Sequence, residues 1–309
     1  MIYRVLKTIL SLFLAVNLSQ AASSSSTYFA LPTTHSKIKK EHKMIRIAGN
    51  MGAFYPNQCT EINKMITHWN GILDEALNDK KILNEKPRAI IAPHAGYIYS
   101  GFTANIAHRI LGNAHPKRVV VIGPSHHVYF EGVSVALYDE YQSPCGSVAV
   151  DRSASEDLAR EFGLIHVPEA HQKEHSTETQ IPFIQHYEPE AQVVELIYGK
   201  IDYTALVPIV EKVLSDPDNA VVISSDLSHF YTLDQAKQLD NICLAGVAEE
   251  DIGLLDKGCE ACGILGIKAI IAVAKKHGWK TRLLDYRTSA DASGDTQRVV
   301  GYMSALVTE

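Results

Sequence analysis

Apolar residues along the chain fall into two kinds of run. Four are short, unbroken and rich in β-branched residues: Ala89-Ile90-Ile91-Ala92, Arg118-Val119-Val120-Val121-Ile122, Gln192-Val193-Val194-Glu195-Leu196-Ile197 and Ala220-Val221-Val222-Ile223. Runs of this length and character suit strands covered on both faces. Each gives way to loop residues: Pro93, Gly123-Pro124, Tyr198-Gly199 and Ser224-Ser225-Asp226. Between them, segments 102–111, 153–162, 176–187, 203–214, 233–249 and 263–277 predict helices. The last ends in Lys275, Lys276 and His277, which complement a helix C-terminus. Extended segments at 282–286 and 298–307 close the chain. The alternation predicts an α/β layered fold with a mainly parallel sheet, mixed if the terminal strands run antiparallel.

The N-terminus follows a different pattern. Arg4 and Lys7 precede a short apolar run over 9–18, and Ser19-Gln20-Ala21 ends in small residues. The run is roughly half the 20 or so residues that a spanning helix needs. It predicts a signal peptide over residues 1–21, a secreted or periplasmic mature protein, and no stable membrane insertion after cleavage. Residues 22–44, with Ser23-Ser24-Ser25-Ser26, read as a flexible lead-in, and 45–309 as a single domain.

The net charge of -6 leaves no basic footprint, so no nucleic-acid partner is expected. The five cysteines, Cys59, Cys145, Cys243, Cys259 and Cys262, are too few and too irregular for a disulfide scaffold. Their number is odd, so at least one is free or bonded between chains.

In open α/β sheets, ligands bind beyond the carboxyl ends of the strands. Three predicted strands end in reactive side chains. His94 follows Pro93 within Pro93-His94-Ala95-Gly96-Tyr97-Ile98-Tyr99-Ser100-Gly101, and Ser125-His126-His127 repeats that placement on the next strand. Ser224-Ser225-Asp226-Leu227-Ser228-His229 ends a third, and its Asp226 and His229 are spaced to hydrogen-bond. In Glu174-His175-Ser176-Thr177-Glu178-Thr179-Gln180, Ser176 suits a helix cap, and His175 at a helix N-terminus should have a lowered pKa. Cys259-Glu260-Ala261-Cys262-Gly263 opens an apolar helix whose dipole would favour a thiolate. A disulfide between Cys259 and Cys262 is the structural alternative there.

Together and in this order, with Gly52-Ala53-Phe54-Tyr55-Pro56 near the start and Val299-Val300-Gly301-Tyr302 near the end, these motifs resemble the Memo family, known in microbes as AmmeMemoRadiSam system protein B. The resemblance covers residues 45–309. It implies a three-layer α/β/α fold with a central mixed, mainly parallel sheet, like that of the class III extradiol dioxygenases. It also implies a metal site at the sheet edge with His94, His126 and Cys262 as ligands. In those dioxygenases the third ligand of the ferrous iron is a carboxylate, so Cys262 would soften the site. His229 corresponds to their acid–base histidine with Asp226 as its orienter, His175 would support or face substrate, and His127 would support. Two departures stand out: a signal peptide in a family regarded as intracellular, and a neighbouring Cys259 whose oxidation with Cys262 would remove the thiolate.

Two imidazoles and a thiolate suit iron, copper or zinc better than magnesium or calcium. The expectation is a metal-dependent redox enzyme, oxygenase- or oxidase-like, that uses iron or copper on a small-molecule or peptide substrate. A non-catalytic peptide or small-ligand binding module, with Tyr97 and Tyr99 lining its groove, is the alternative. A zinc-dependent hydrolase is the third.

Overall fold

The computed structural model describes residues 43–77 and 80–309. The expected signal peptide and the lead-in as far as residue 42 lie outside the described residues. The last two lead-in residues are tied down. Met44 N donates to Asp139 Oδ2 at 2.6 Å, and Lys43 pairs with Glu140.

The strands are β1 (Ile45–Ile47), β2 (Ala89–Ala92), β3 (Arg118–Pro124), β4 (Val133–Val135), β5 (Glu140–Ser143), β6 (Gly146–Ala149), β7 (Gln192–Tyr198), β8 (Asn219–Ser224), β9 (His229–Tyr231), β10 (Lys280–Thr288) and β11 (Val299–Thr308). The helices are α1 (Cys59–Ala76), α2 (Tyr97–Leu111), α3 (Arg152–Phe162), α4 (Pro168–Gln172), α5 (His175–Glu178), α6 (Ile181–Tyr187), α7 (Val207–Leu214), α8 (Leu233–Ala248), α9 (Ile252–Leu255), α10 (Ile264–His277) and α11 (Ala290–Ser293).

The main sheet runs β10-β11-β2-β8-β3-β7-β4, with β9 added against β11. The four inner strands β2, β8, β3 and β7 are mutually parallel, while β4, β9, β10 and β11 pair antiparallel. The sheet is therefore mixed and mainly parallel at its centre. A separate three-stranded sheet, β1-β5-β6, joins one parallel and one antiparallel pair.

Successive side chains of a strand point to opposite faces, and here both faces are buried. Ile90, Ala92, Val119, Val121, Val193, Ala220 and Val222 pack with α1, α2 and α6. Ala89, Ile91, Val120, Ile122, Val194, Leu196, Val221 and Ile223 pack with α3, α7, α8 and α10. This is the three-layer α/β/α arrangement, and it explains why these strands read as unbroken apolar runs. No helix among the described residues is long and apolar enough to cross a membrane.

Three local expectations change. The segment 176–187 is two helices, because Pro182 lacks an N–H and forces a fresh start at α6. Pro208 splits 203–214 in the same way, into a 3-10 turn at Tyr203–Ala205 followed by α7. The strands carrying His94 and His126 are not adjacent, since β8 lies between β2 and β3.

Candidate metal centre

Because β2, β8 and β3 are parallel, their carboxyl ends share one edge of the sheet. His94 leaves β2 on one side, His126 leaves β3 on the other, and the Ser225-Asp226 turn leaves β8 between them. Cys262 enters from the loop before α10. Gly263 permits this approach: a Cβ there would collide with Ser225 and come within 2.6 Å of the Ser224 carbonyl oxygen. Cys262 N donates to Asp226 O at 3.2 Å, and Asp226 N donates to Cys262 Sγ at 3.3 Å.

Ligand atoms of His94, His126 and Cys262 all lie within 4.8 Å of one another. His94 Nε2 is 3.3 Å from Cys262 Sγ, and the His94 and His126 ring centroids are 5.2 Å apart. His94 is 1% exposed at the floor, whereas the His126 side chain is 26% exposed, so the cluster opens toward solvent on the His126 side.

The hydrogen-bond network fixes both imidazole tautomers. Ser224 Oγ donates its one proton to Ser176 O at 2.5 Å and accepts from Gln180 Nε2 at 2.9 Å. Toward His94 Nδ1, also at 2.9 Å, it can only accept, so that nitrogen carries the proton and Nε2 keeps its lone pair, facing Cys262 Sγ. His126 Nδ1 faces the carboxylate of Glu174 at 2.8 Å, and His126 N donates to the other oxygen at 2.6 Å. Its Nε2 likewise keeps its lone pair. Orienting partners of this kind are what metal-binding histidines have.

Electrostatics favour neutral His94, His175 and Cys262 beside an ionised Glu174. Burial, with the neighbouring His126, pushes His94 well below the usual histidine range. Burial and the same neighbours hold His175 at about 4. The expected direction is right, although desolvation rather than the helix end is the main cause. Burial would raise Glu174, but bonds from His126 and Ser176 outweigh it and hold the carboxyl at about 2. The expected thiolate at Cys262 is not what the surroundings favour. Burial and the Asp226 charge push its pKa up, so without a cation it is a thiol.

His175 joins the cluster. Its ring stacks on His126 at 4.4 Å and on Phe54 at 4.5 Å, and stands edge-on to His94 at 5.3 Å. Its Nδ1 lies 3.5 Å from Glu174 yet has no hydrogen-bond partner, and the ring is neutral, so no ion pair forms. His127 is exposed and touches His175 only at ring distance, 5.7 Å.

Other sequence-derived roles are redistributed. Asp226 Oδ1 accepts from the backbone N–H of His94 at 2.8 Å and of Ala95 at 3.3 Å, so it fixes the His94 turn. It makes no hydrogen bond to His229, which lies half-buried in β9, paired with Val300. Glu174, not Ser176, caps α5 through Ser176 N. Cys259 pairs with Cys243 and Cys59 with Cys145, so Cys262 is the one free cysteine and the Cys259–Cys262 disulfide does not form. Tyr97 is buried, with its hydroxyl on Thr179 O, and cannot line a surface groove; Tyr99 is exposed. The orienting roles of Ser224, Gln180 and Glu174 were missed, and for Glu174 the signal was its place directly before His175.

Residues 46–306 match a family model described as "Memo-like protein". A MEMO1 family protein of Sulfurisphaera tokodaii is 31% identical over 283 residues, covering 84% of this chain and 98% of its own length. One from Aquifex aeolicus is 31% identical, covering 82% and 96%. Another, from Methanococcus vannielii, is 34% identical, covering 85% and 100%.

Proposed function

The chain belongs to the Memo-like protein family, and from that premise we propose that it is a metal-dependent redox enzyme, oxygenase- or oxidase-like, with iron or copper held by His94, His126 and Cys262. One observation carries this reading: the two imidazoles, each with Nδ1 engaged away from the cluster and His94 Nε2 turned to Cys262 Sγ, meet the one unpaired cysteine within 4.8 Å. The donor set fits a borderline or soft transition metal. A cation would also convert the Cys262 thiol to a thiolate, which burial otherwise opposes. When bound, such a metal supplies electron transfer and an open coordination position.

The chain's own residues supply the rest. His175, whose neutral ring lies against the rings of both His126 and His94, is the residue assigned to accept a proton from a bound small molecule or peptide. His229, within electrostatic reach of both His94 and Asp226, is the second proton carrier. Glu174 and Ser224 hold the ligand rings, and Asp226 holds the turn that bears His94.

The same donors satisfy a three-ligand catalytic zinc site, which would favour hydrolysis. Exposed Ile98, Tyr99, Tyr129 and Phe230, each close in sequence to a site histidine, favour a peptide- or small-ligand-binding module instead. An exported location, secreted or periplasmic, accords with two disulfides in the fold.

Elemental analysis of protein purified without chelators, beside His94→Ala and Cys262→Ser, tests the proposal. Near-stoichiometric iron or copper in the wild type, lost in both variants, is expected. Stoichiometric zinc would redirect the search to hydrolysis. A folded wild type that takes up no metal after anaerobic reconstitution would leave a binding cleft.

A further inference from the structure

His126 belongs to a second group of donors, on the side of its ring that faces Glu174. Ligand atoms of His126, Glu174 and His175 also lie within 4.8 Å of one another. His126 Nδ1 is 2.8 Å from Glu174 Oε1, and His175 Nδ1 is 3.5 Å from the same oxygen.

Two members of this group lack what their burial requires. Glu174 is fully buried, and its carboxyl accepts from His126 N, His126 Nδ1 and Ser176 N, a set of donors that favours the ionised form. Buried charges are paired with an opposite charge or coordinate a metal. Arg46 gives its charge to Glu178 and reaches Glu174 only at the backbone carbonyl, 3.1 Å away. His175 Nδ1 is buried without a hydrogen-bond partner, although the carboxylate lies beside it. A cation between the two would balance the charge and engage the nitrogen.

The donors narrow the class of cation. Two imidazole nitrogens and a carboxylate oxygen are a harder set than two imidazoles and a thiol sulfur, and they suit divalent iron, cobalt or zinc.

We propose that His126, Glu174 and His175 form a second cation site, for a divalent first-row metal, and that His126 serves both sets in turn. A cation on Nδ1 takes the place of the proton that this nitrogen gives to Glu174, and the ring proton moves to Nε2. That nitrogen then has no lone pair for the first set, so only one set can use the ring at a time. The second site stands whether or not the first holds iron or copper.

Anaerobic titration of chelator-stripped protein with cobalt(II), followed by absorbance, tests the assignment. His94→Ala/Cys262→Ser removes two donors of the first set and leaves the second whole. It should take up one cobalt(II), with ligand-field bands in the visible and no thiolate charge-transfer band in the near ultraviolet. Adding His175→Ala should abolish that uptake, whereas adding His127→Ala, at an exposed histidine outside both sets, should leave it unchanged. No uptake by His94→Ala/Cys262→Ser, or uptake that survives His175→Ala, would overturn the second site. Two cobalt ions bound together in the wild type would overturn the sharing of His126. One cobalt without the thiolate band in the wild type would support the second site and count against the first. If the double variant does not fold, Cys262→Ser with and without His175→Ala gives the same comparison.

Discussion

Ser224 has one hydroxyl proton, and its destination decides which nitrogen of His94 keeps its lone pair. Donation to Ser176 O leaves only acceptor capacity toward Nδ1, so the ring's lone pair sits on Nε2, toward Cys262. Glu174 does the same for His126 as a carboxylate that can only accept. Glu174→Gln would set an amide among three donor groups and loosen that tautomer. The expected outcome is a fall in metal affinity of about 10–100-fold, read by competition with a chelator; unchanged affinity would remove the orienting role. Behind Ser224 lies Gln180, whose Oε1 accepts from His108 Nε2 at 2.8 Å. Burial lowers His108 to about 4, so the unfolded chain binds a proton between about pH 6.5 and 4 that the folded chain refuses. Its neutral form therefore stabilises the fold above pH 6.5, and this contribution is lost as pH falls toward 4. One such proton steepens the pH dependence of unfolding by about 1.4 kcal/mol per pH unit. Urea midpoints between pH 7 and 4 should fall less steeply in His108→Phe, which keeps the stack on Phe183 but cannot titrate. Parallel curves would sink the assignment.

At the scale of elements, what could be read in the chain depended on whether a segment's surroundings are uniform. The four inner strands are buried on both faces, so Ile90-Ile91 and Val119-Val120-Val121 announce themselves. Helix α1 is legible on the same ground, since Ile62, Ile66, Trp69 and Leu73 are buried at helical spacing. The breaks before α6 and α7 were marked by Pro182 and Pro208. The contact that fastens β1 to α5 had no such mark, because it joins Arg46 to Glu178 across the fold, both buried, at 2.5 Å. Arg46 also bonds the backbone carbonyls of His171 and Glu174. Glu178 in turn accepts from Gly49 N, Asn50 N and the Tyr55 hydroxyl, holding the loop whose Phe54 backs His175. Arg46→Met would leave Glu178 as a buried charge without its cation. We expect a loss of about 3–5 kcal/mol in urea unfolding, together with weaker metal binding because Glu174 is released. A loss under about 1 kcal/mol would show that the remaining donors, Gly49 N, Asn50 and the Tyr55 hydroxyl, satisfy Glu178 without Arg46.

For the molecule as a whole, the cysteines decide whether a thiolate site and an oxidising compartment can coexist. Their odd number was plain from the sequence, but the pairing was not, since partners 86 residues apart meet only when α1 packs beside the β5–β6 hairpin. Nor could spacing alone identify the free cysteine, because Cys259 and Cys262 look equivalent until α8 brings Cys243 to the first. The result is a division of labour. Four thiols are consumed as two crosslinks, and the fifth is held at the sheet edge beside two imidazoles, with its nearest cysteine in sequence already occupied. The histidines at the strand ends were legible because a parallel sheet gathers them at one edge, whereas the proton routing through Ser224 and Gln180 exists only in the assembled core. Thiol counting tests the division directly. The denatured, unreduced protein should release one thiol per chain, at Cys262 by peptide mapping, and the native metal-loaded protein should release almost none until the metal is stripped. Three free thiols, with alkylation at Cys243 and Cys259, would mean that the second crosslink does not form and that Cys262 has a competitor for oxidation. Loop-closure entropy gives the two bridges unequal weight, roughly 4.5 kcal/mol for the 86-residue separation and roughly 3 for the 16-residue one. Cys59→Ser/Cys145→Ser should therefore lower the melting temperature more than Cys243→Ser/Cys259→Ser. Only the second pair of substitutions should also disturb metal content, because the bridge it removes anchors the loop that delivers Cys262.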